Sequence, residues 1–358
     1  MRHSPRPSSP KSVRVLVVDD SAFMRNAVTK YLESDPIITV VGSAYDGLDA
    51  LAKIQALKPD VVTLDVEMPR MDGLTALKRI MRECPTPVVM LSALTQQGAQ
   101  ATIRALMRGA VDFVPKPTAG VDIQTVIAEL TTKVKVAAGT RPATSLISET
   151  ARVAPASKAG PRPFHKGDSV IVIGASTGGP RALQQVLSNL PASLPAAVVV
   201  VQHMPAGFTA SLARRLDERS PLAVREAVDG DRLERRLVLL APGDYHLKLV
   251  GMRRMALDHG PRRHHVRPAV DVAMESAAEY HGSLVIGVVL TGMGSDGTDG
   301  AGRIKAAGGK VIAEHESTSA VYGMPRSVVE AGLADQIVPL PKVAPTLVRL
   351  VNDEHPRV

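Results

Sequence analysis

Only one cysteine, Cys84, stands among 358 residues, which excludes an internal disulfide framework and a zinc site built on thiolates. A reducing compartment suits such a chain. No apolar run approaches the roughly 20 residues that a membrane-spanning helix needs, so direct membrane insertion is not expected. The opening residues MRHSPRPSSPKSVRV carry charge but no apolar signal core, and read as a cytoplasmic protein with a flexible tail at 1–11. Hydrophobic residues make up 45% of the chain, which is too apolar for a wholly disordered protein. At about 150 residues per domain, the length implies two domains.

A net charge of +8 first points to nucleic acid or an acidic surface, but its distribution weakens that reading. Residues 1–14 hold Arg2, Arg6, Lys11 and Arg14 with no acid, and residues 133–166 hold seven basic residues against Glu149. The rest of the chain carries a net −2. No nucleic-acid partner is expected, and no helix-turn-helix pattern is recognisable. One local exception lies at 253–267, where Arg253, Arg254, Arg262, Arg263 and Arg267 face only Asp258. That segment is either a solvated hairpin face or a contact for acidic partner helices.

The stretch 137–167 is rich in Ala, Pro, Ser, Thr and Gly without a sustained period, and reads as a linker between domains at 12–136 and 168–350. On both sides, short Val/Ile/Leu runs alternate with amphipathic stretches, the pattern of parallel sheets covered by helices. The expected strands are 13–18, 38–42, 60–64, 87–91 and 111–114 in the first domain. In the second they are 169–174, 196–202, 236–242, 283–290 and 310–314. Both domains are therefore expected to be α/β: a doubly wound (βα)5 sheet, then a doubly wound, mostly parallel hydrolytic domain.

In the first domain, Asp19 and Asp20 follow the first strand, Asp65 and Ser92 end the third and fourth, and Lys116 follows the fifth. A doubly wound sheet brings all five to one end. Crowded carboxylates repel unless a hard divalent cation and the Lys116 ammonium neutralise them, and oxygen ligands select Mg²⁺. Taken singly, each Asp reads as well as a helix cap or a loop acid. Together, VVDDSAFMR, VVTLDVEMPRMDGL, VVMLSA and GAVDFVPKP resemble the response-regulator receiver domain. The resemblance implies Asp65 as phosphoacceptor, and Asp19, Asp20, Asp65 and the Glu67 carbonyl as the Mg²⁺ site. It also implies Ser92 and Lys116 as contacts to the phosphoryl group, with Phe113 at the aromatic switch position.

In the second domain, Gly174-Ala175-Ser176-Thr177-Gly178-Gly179-Pro180 sits between a strand and a helix. Small residues around a Ser at such a turn allow a nucleophile elbow, but the same turn serves equally as a phosphate cradle or a plain helix cap. A dinucleotide site is disfavoured by the missing G-x-G. His203 follows the next strand and Asp296 a later one, so a Ser, His and Asp are expected at strand carboxyl ends, which is the constellation that activates a hydroxyl toward an acyl carbon. His246, His259, His264, His265, Asp271 and Asp299 compete for these roles.

The runs VIVIGASTGGP, VVVVQHMP, LLAPGDYHL, VRPAVDVAMESAA, VLTGMGSDGTDG and YGMPRSVVEAG are together similar to the CheB-type chemotaxis protein-glutamate methylesterase family. The similarity implies Ser176 as nucleophile, His203 as base and acid, Asp296 as its orienter, and backbone amides near Thr177 and Met293 as oxyanion donors. It further implies hydrolysis, without a cofactor, of glutamyl methyl esters on the cytoplasmic helices of methylated chemoreceptors, with deamidation of receptor glutamines. A chemotaxis histidine kinase is the implied phosphodonor, and the receiver is expected to block the cleft until Asp65 is phosphorylated. The rival expectation is a non-catalytic, receiver-controlled adaptor protein.

Overall fold

A computed structural model describes residues 12–116, 123–140 and 160–354. The expected tail at 1–11 lies outside the described residues, as does 141–159 of the expected linker. The chain divides into two compact units. In the first, β1 (Val13–Val18), β2 (Ile38–Ala44), β3 (Val61–Asp65), β4 (Val88–Ser92) and β5 (Asp112–Pro115) form a parallel sheet in the order β2-β1-β3-β4-β5. Along the chain they alternate with α1 (Ala22–Leu32), α2 (Gly47–Leu57), α3 (Gly73–Glu83), α4 (Gln96–Met107) and α5 (Ile123–Ala138). All residues of β3 and β4 are buried, which explains their unbroken Val/Leu character. Ser21, Asp46 and Asp72 start α1, α2 and α3 by accepting from the amides of Met24, Asp49 and Thr75 at 3.3, 2.8 and 2.7 Å.

The second unit begins with β6 (Arg162–Pro163), β7 (Ser169–Ala175), α6 (Gly179–Ser188), β8 (Ala196–Gln202) and α7 (Phe208–Asp217). There follow β9 (Ala223–Glu226), β10 (Glu234–Arg235), β11 (Leu237–Leu240), β12 (His246–Leu249), β13 (Met255–Asp258) and α8 (Val270–His281). The chain ends with β14 (Val285–Val289), α9 (Thr298–Ala306), β15 (Lys310–Glu314), α10 (Met324–Glu330), β16 (Gln336–Val338) and α11 (Leu340–Glu354). Seven of these strands make one parallel sheet in the order β16-β15-β14-β7-β8-β11-β9. The order reverses at β7, which has β8 on one side and β14 on the other. Such a switch point opens a crevice beyond the carboxyl ends of the strands.

Both sheets are α/β, as the sequence implies, but several boundaries differ. The edge strands β9 and β16 and the antiparallel hairpin β12–β13 are additions to the five expected strands. The expected linker is shorter at both ends. At one end α5 runs to Ala138. At the other, β6 pairs with β10, and Phe164 is buried in the second core, edge-on to the His281 ring at 5.5 Å.

Candidate active site and acidic pocket

The acidic pocket assembles at one end of the first sheet. Asp19 follows β1, Asp65 ends β3, Ser92 ends β4, and all three are buried. Lys116, just past β5, places Nζ 2.7 Å from Asp65 Oδ2 and 2.9 Å from Asp19 Oδ2. Asp19, Asp20 and Asp65 each bring a carboxylate oxygen within 4.8 Å of the others, a hard-donor set that fits a divalent cation. Burial pushes the Asp65 carboxyl up to about 6, against the opposing pull of Lys116. The Glu67 side chain is exposed on the loop after β3. Phe113 is buried on β5, with Lys133 Nζ 5.3 Å from its ring centre.

In the second unit the parallel register does the assembling. Ala175 pairs with Gln202 across β7 and β8, so Ser176 and His203 each stand one residue beyond neighbouring strand ends. Strands in a sheet lie about 4.8 Å apart, which makes the two residues side-by-side neighbours. On the other flank, the Ser176 amide donates to the Thr291 carbonyl just beyond β14 at 3.0 Å. Gly178, with φ +79°, turns the chain into α6 in a backbone state that side-chain-bearing residues avoid. A Cβ on Gly292 would sit 2.8 Å from Ser176 Cβ, so the loop carrying Met293 can pass against the Ser only because residue 292 is glycine.

His203 Nε2 lies 2.7 Å from Asp296 Oδ2. The same carboxylate accepts from the Val270 amide at 2.7 Å and the Asp271 amide at 2.9 Å, at the start of α8. Burial by itself would raise Asp296, but the bonds from His203 and the two amides hold it below the ordinary carboxylate value. A carboxylate only accepts, so His203 Nε2 carries the proton, which in a neutral imidazole makes Nδ1 the acceptor. Thr177 is buried in the turn before α6, whereas the Met293 side chain is exposed.

Five of the six competing residues, all but His265, are engaged elsewhere. His246 Nε2 is 3.0 Å from the Pro261 carbonyl, and its Nδ1 accepts from the Ala269 amide at 3.1 Å. His259 faces Asp244 at 3.3 Å, and His264 faces Asp271 at 2.7 Å. Asp271 Oδ1 also accepts from the Gly297 and Gly300 amides at 2.9 and 2.7 Å, and burial together with the Asp296 charge raises its pKa. His264, Asp271 and Asp299 lie close enough to share a cation, yet Arg263 already supplies the positive charge, with Nη2 2.9 Å from Asp299. The local excess of charge at 253–267 is largely neutralised from outside the segment. Arg267 pairs with Asp244 at 2.7 Å, Arg262 with Asp244 at 3.4 Å, and Arg263 with Glu275 at 2.7 Å.

Three residues around the crevice escape sequence reasoning. Thr291 Oγ1 donates to the Thr177 carbonyl at 2.9 Å and accepts from the Val321 amide at 2.9 Å. Glu314, fully buried at the end of β15, accepts from the Thr291 amide at 2.8 Å and from Thr318 Oγ1 at 2.9 Å, and burial pushes its carboxyl up to about 7. Gln202 ends β8. The available signal was a polar residue closing an apolar strand, as in AAVVVVQ and KVIAE.

A receiver-type sheet with a lysine-bearing acidic pocket, followed in the same chain by a parallel sheet with Ser, His and Asp at its switch point, defines a response regulator with an enzymatic output domain. Residues 15–128 match the response regulator receiver domain and residues 171–347 match CheB methylesterase. The chain belongs to the CheB methylesterase family. It is 52% identical over 355 residues to the protein-glutamate methylesterase/protein-glutamine glutaminase of Symbiobacterium thermophilum, covering 96% of this chain and 98% of that relative. It is 47% identical over 344 residues to the protein of the same name from Thermotoga maritima, covering 95% and 98%. The crystal structure of the Thermotoga maritima CheB methylesterase catalytic domain superposes with a TM-score of 0.50 at 49% identity, covering 51% of this chain and 98% of that one. No helix among the described residues is long and apolar enough to cross a membrane.

Proposed function

We propose that this protein hydrolyses glutamyl methyl esters on chemoreceptor cytoplasmic helices and deamidates receptor glutamines, under control of phosphorylation at Asp65. The observation that carries the chemistry is the 2.7 Å contact between His203 Nε2 and Asp296 Oδ2, on the strand end beside Ser176. His203 Nδ1 takes the proton of Ser176 Oγ as that oxygen attacks the ester carbonyl. The tetrahedral oxyanion is met by the Thr177 and Met293 amides. His203 then gives that proton to the departing methoxide oxygen, or to the amide nitrogen in the deamidation, so that methanol or ammonia leaves. Water, deprotonated by His203, releases the glutamate from Ser176.

In the receiver unit, Asp19, Asp20, Asp65 and the Glu67 carbonyl would hold Mg²⁺. When bound, the ion would neutralise phosphoryl oxygens during transfer to Asp65. Lys116 and Ser92 contact the added phosphoryl group, whose charge of about −2 rewards an ammonium and a hydroxyl brought close. A chemotaxis histidine kinase is the donor, the site of action is the cytoplasm, and ester hydrolysis needs no cofactor. The domains are 12–136 and 168–350, the second extended upstream by β6 and Phe164.

The test is methanol release from methylated receptor, with and without a small-molecule phosphodonor. Wild type is expected to release methanol faster with the donor, and Ser176→Ala to release none. Near wild-type release by Ser176→Ala would sink the nucleophile assignment, and no release by folded wild type with or without the donor would sink the esterase reading.

A further inference from the structure

We propose that Gln202 is a positioning residue that locks the nucleophile-bearing turn to the base-bearing turn and aims one oxyanion donor. The inference rests on the reading of Ser176 and His203 given above. Gln202 is the last residue of β8 and only 2% exposed. Its Nε2 donates to the Ser176 carbonyl at 2.9 Å and to the His203 carbonyl at 3.1 Å. With two carbonyl oxygens on one side, only the NH₂ group can face them, so its orientation follows from its partners.

Each bonded carbonyl belongs to a peptide plane with a second function. The Ser176 carbonyl shares its plane with the Thr177 N–H, and in a trans peptide the two point in opposite directions. Gln202, together with the Gly179 amide that donates to the same oxygen at 2.8 Å, therefore directs the Thr177 N–H away from itself. Donation to that carbonyl also polarises the peptide and strengthens its N–H as a donor. The second bond holds the backbone on which His203 is mounted. A single planar amide thus spans nucleophile, oxyanion donor and base.

Fold stability alone does not explain this residue. Gln202 Oε1 is buried and has no hydrogen-bond partner, and an unsatisfied buried acceptor is costly. Room for that oxygen also constrains its neighbour, since a Cβ on Gly179 would lie 2.0 Å from it. An apolar side chain of the same length would fill the space without an orphaned oxygen. The polar group serves the site rather than the core.

The test uses the full chain, activated by small-molecule phosphodonor, acting on methylated receptor, with rates expressed per folded molecule from circular dichroism. Gln202→Met keeps the volume and removes both donors. We expect kcat per folded molecule to fall 10- to 100-fold with KM within twofold of wild type, beyond the modest fall in Tm that loss of two donors to backbone carbonyls brings. The rate of Ser176 labelling by a fluorophosphonate, which needs the same oxyanion geometry, should fall in parallel. Gln202→Leu provides a second apolar replacement if the first folds poorly. Wild-type kcat in a folded apolar variant, while Ser176→Ala is inactive, overturns the role of Gln202 and leaves the serine chemistry intact. A loss of activity that merely follows a falling Tm also overturns it. Activity in Ser176→Ala overturns the underlying reading instead.

Discussion

Glu314 binds its proton more tightly in the folded protein than in the unfolded chain, because burial lifts it from 4.5 to about 7. A raised carboxyl pKa makes the folded state relatively most stable below 4.5, and that advantage is lost as pH rises through 7. The difference in unfolding free energy between wild type and Glu314→Gln should therefore fall between pH 5 and pH 8, by on the order of 3 kcal/mol, as read by urea titration. A difference independent of pH would mean that Glu314 is not buried as an acid. At Asp296 the expected outcome is kinetic. Asp296→Asn replaces one acceptor oxygen of the carboxylate by a donor and removes the charge that fixes the His203 proton on Nε2, and kcat should fall by about 10²- to 10⁴-fold with KM little changed. Asp296, His203 and Ser176 were legible because glycine-rich and apolar runs frame them. Gln202 and Glu314 were not, since a polar residue ending a strand carries no sign of which backbone groups it will meet.

At the scale of elements, the central strands were readable to within a residue or two, whereas the edges were not. SVIVIGA and AAVVVVQ are buried on both faces, and continuous β-branched runs report that burial directly. The strands AVRE and QIV lie at sheet edges, are partly exposed, and are short and mixed in character, so no periodicity marks them. The turn between β7 and α6 offers a test of element geometry. Gly178→Ala places a Cβ at φ +79° and 2.7 Å from Ala320 Cβ, and should destabilise the second unit by about 1–3 kcal/mol in urea unfolding. A neutral result would show that the turn can relax. The segment at 253–267 illustrates the opposite failure of local reading. Its five arginines look unopposed along the chain, but Asp244, Glu275 and Asp299 arrive from elsewhere and take up three of them.

For the whole molecule, the position of Phe164 decides where the catalytic unit can be cut. A fragment starting at residue 160 keeps β6 and the buried Phe164, while one starting at 168 loses both. Burying a large aromatic side chain stabilises by a few kcal/mol, so the shorter fragment should melt several degrees lower. The longer fragment is expected to release methanol without responding to phosphodonor, and an inactive but folded fragment would contradict control by simple restraint. In the full chain, Asp65→Ala should abolish the response to phosphodonor while leaving basal hydrolysis measurable. A retained response would place the phosphoacceptor elsewhere.

Two α/β units, their order and the family were determined by the sequence alone, because alternating buried strands and amphipathic helices leave periodic marks in the chain. Long motifs around Asp65, Ser176, His203 and Asp296 carry the proposed chemistry in the same way. Only the tertiary structure decided which imidazole nitrogen meets Asp296, which acids oppose the arginines, and what Gln202 and Glu314 hold. Those outcomes depend on strand register and on residues distant in sequence. The hydrogen bonds of 2.7–3.1 Å made by His203, Gln202 and Glu314 exist only once the sheet has set the distance between its strands.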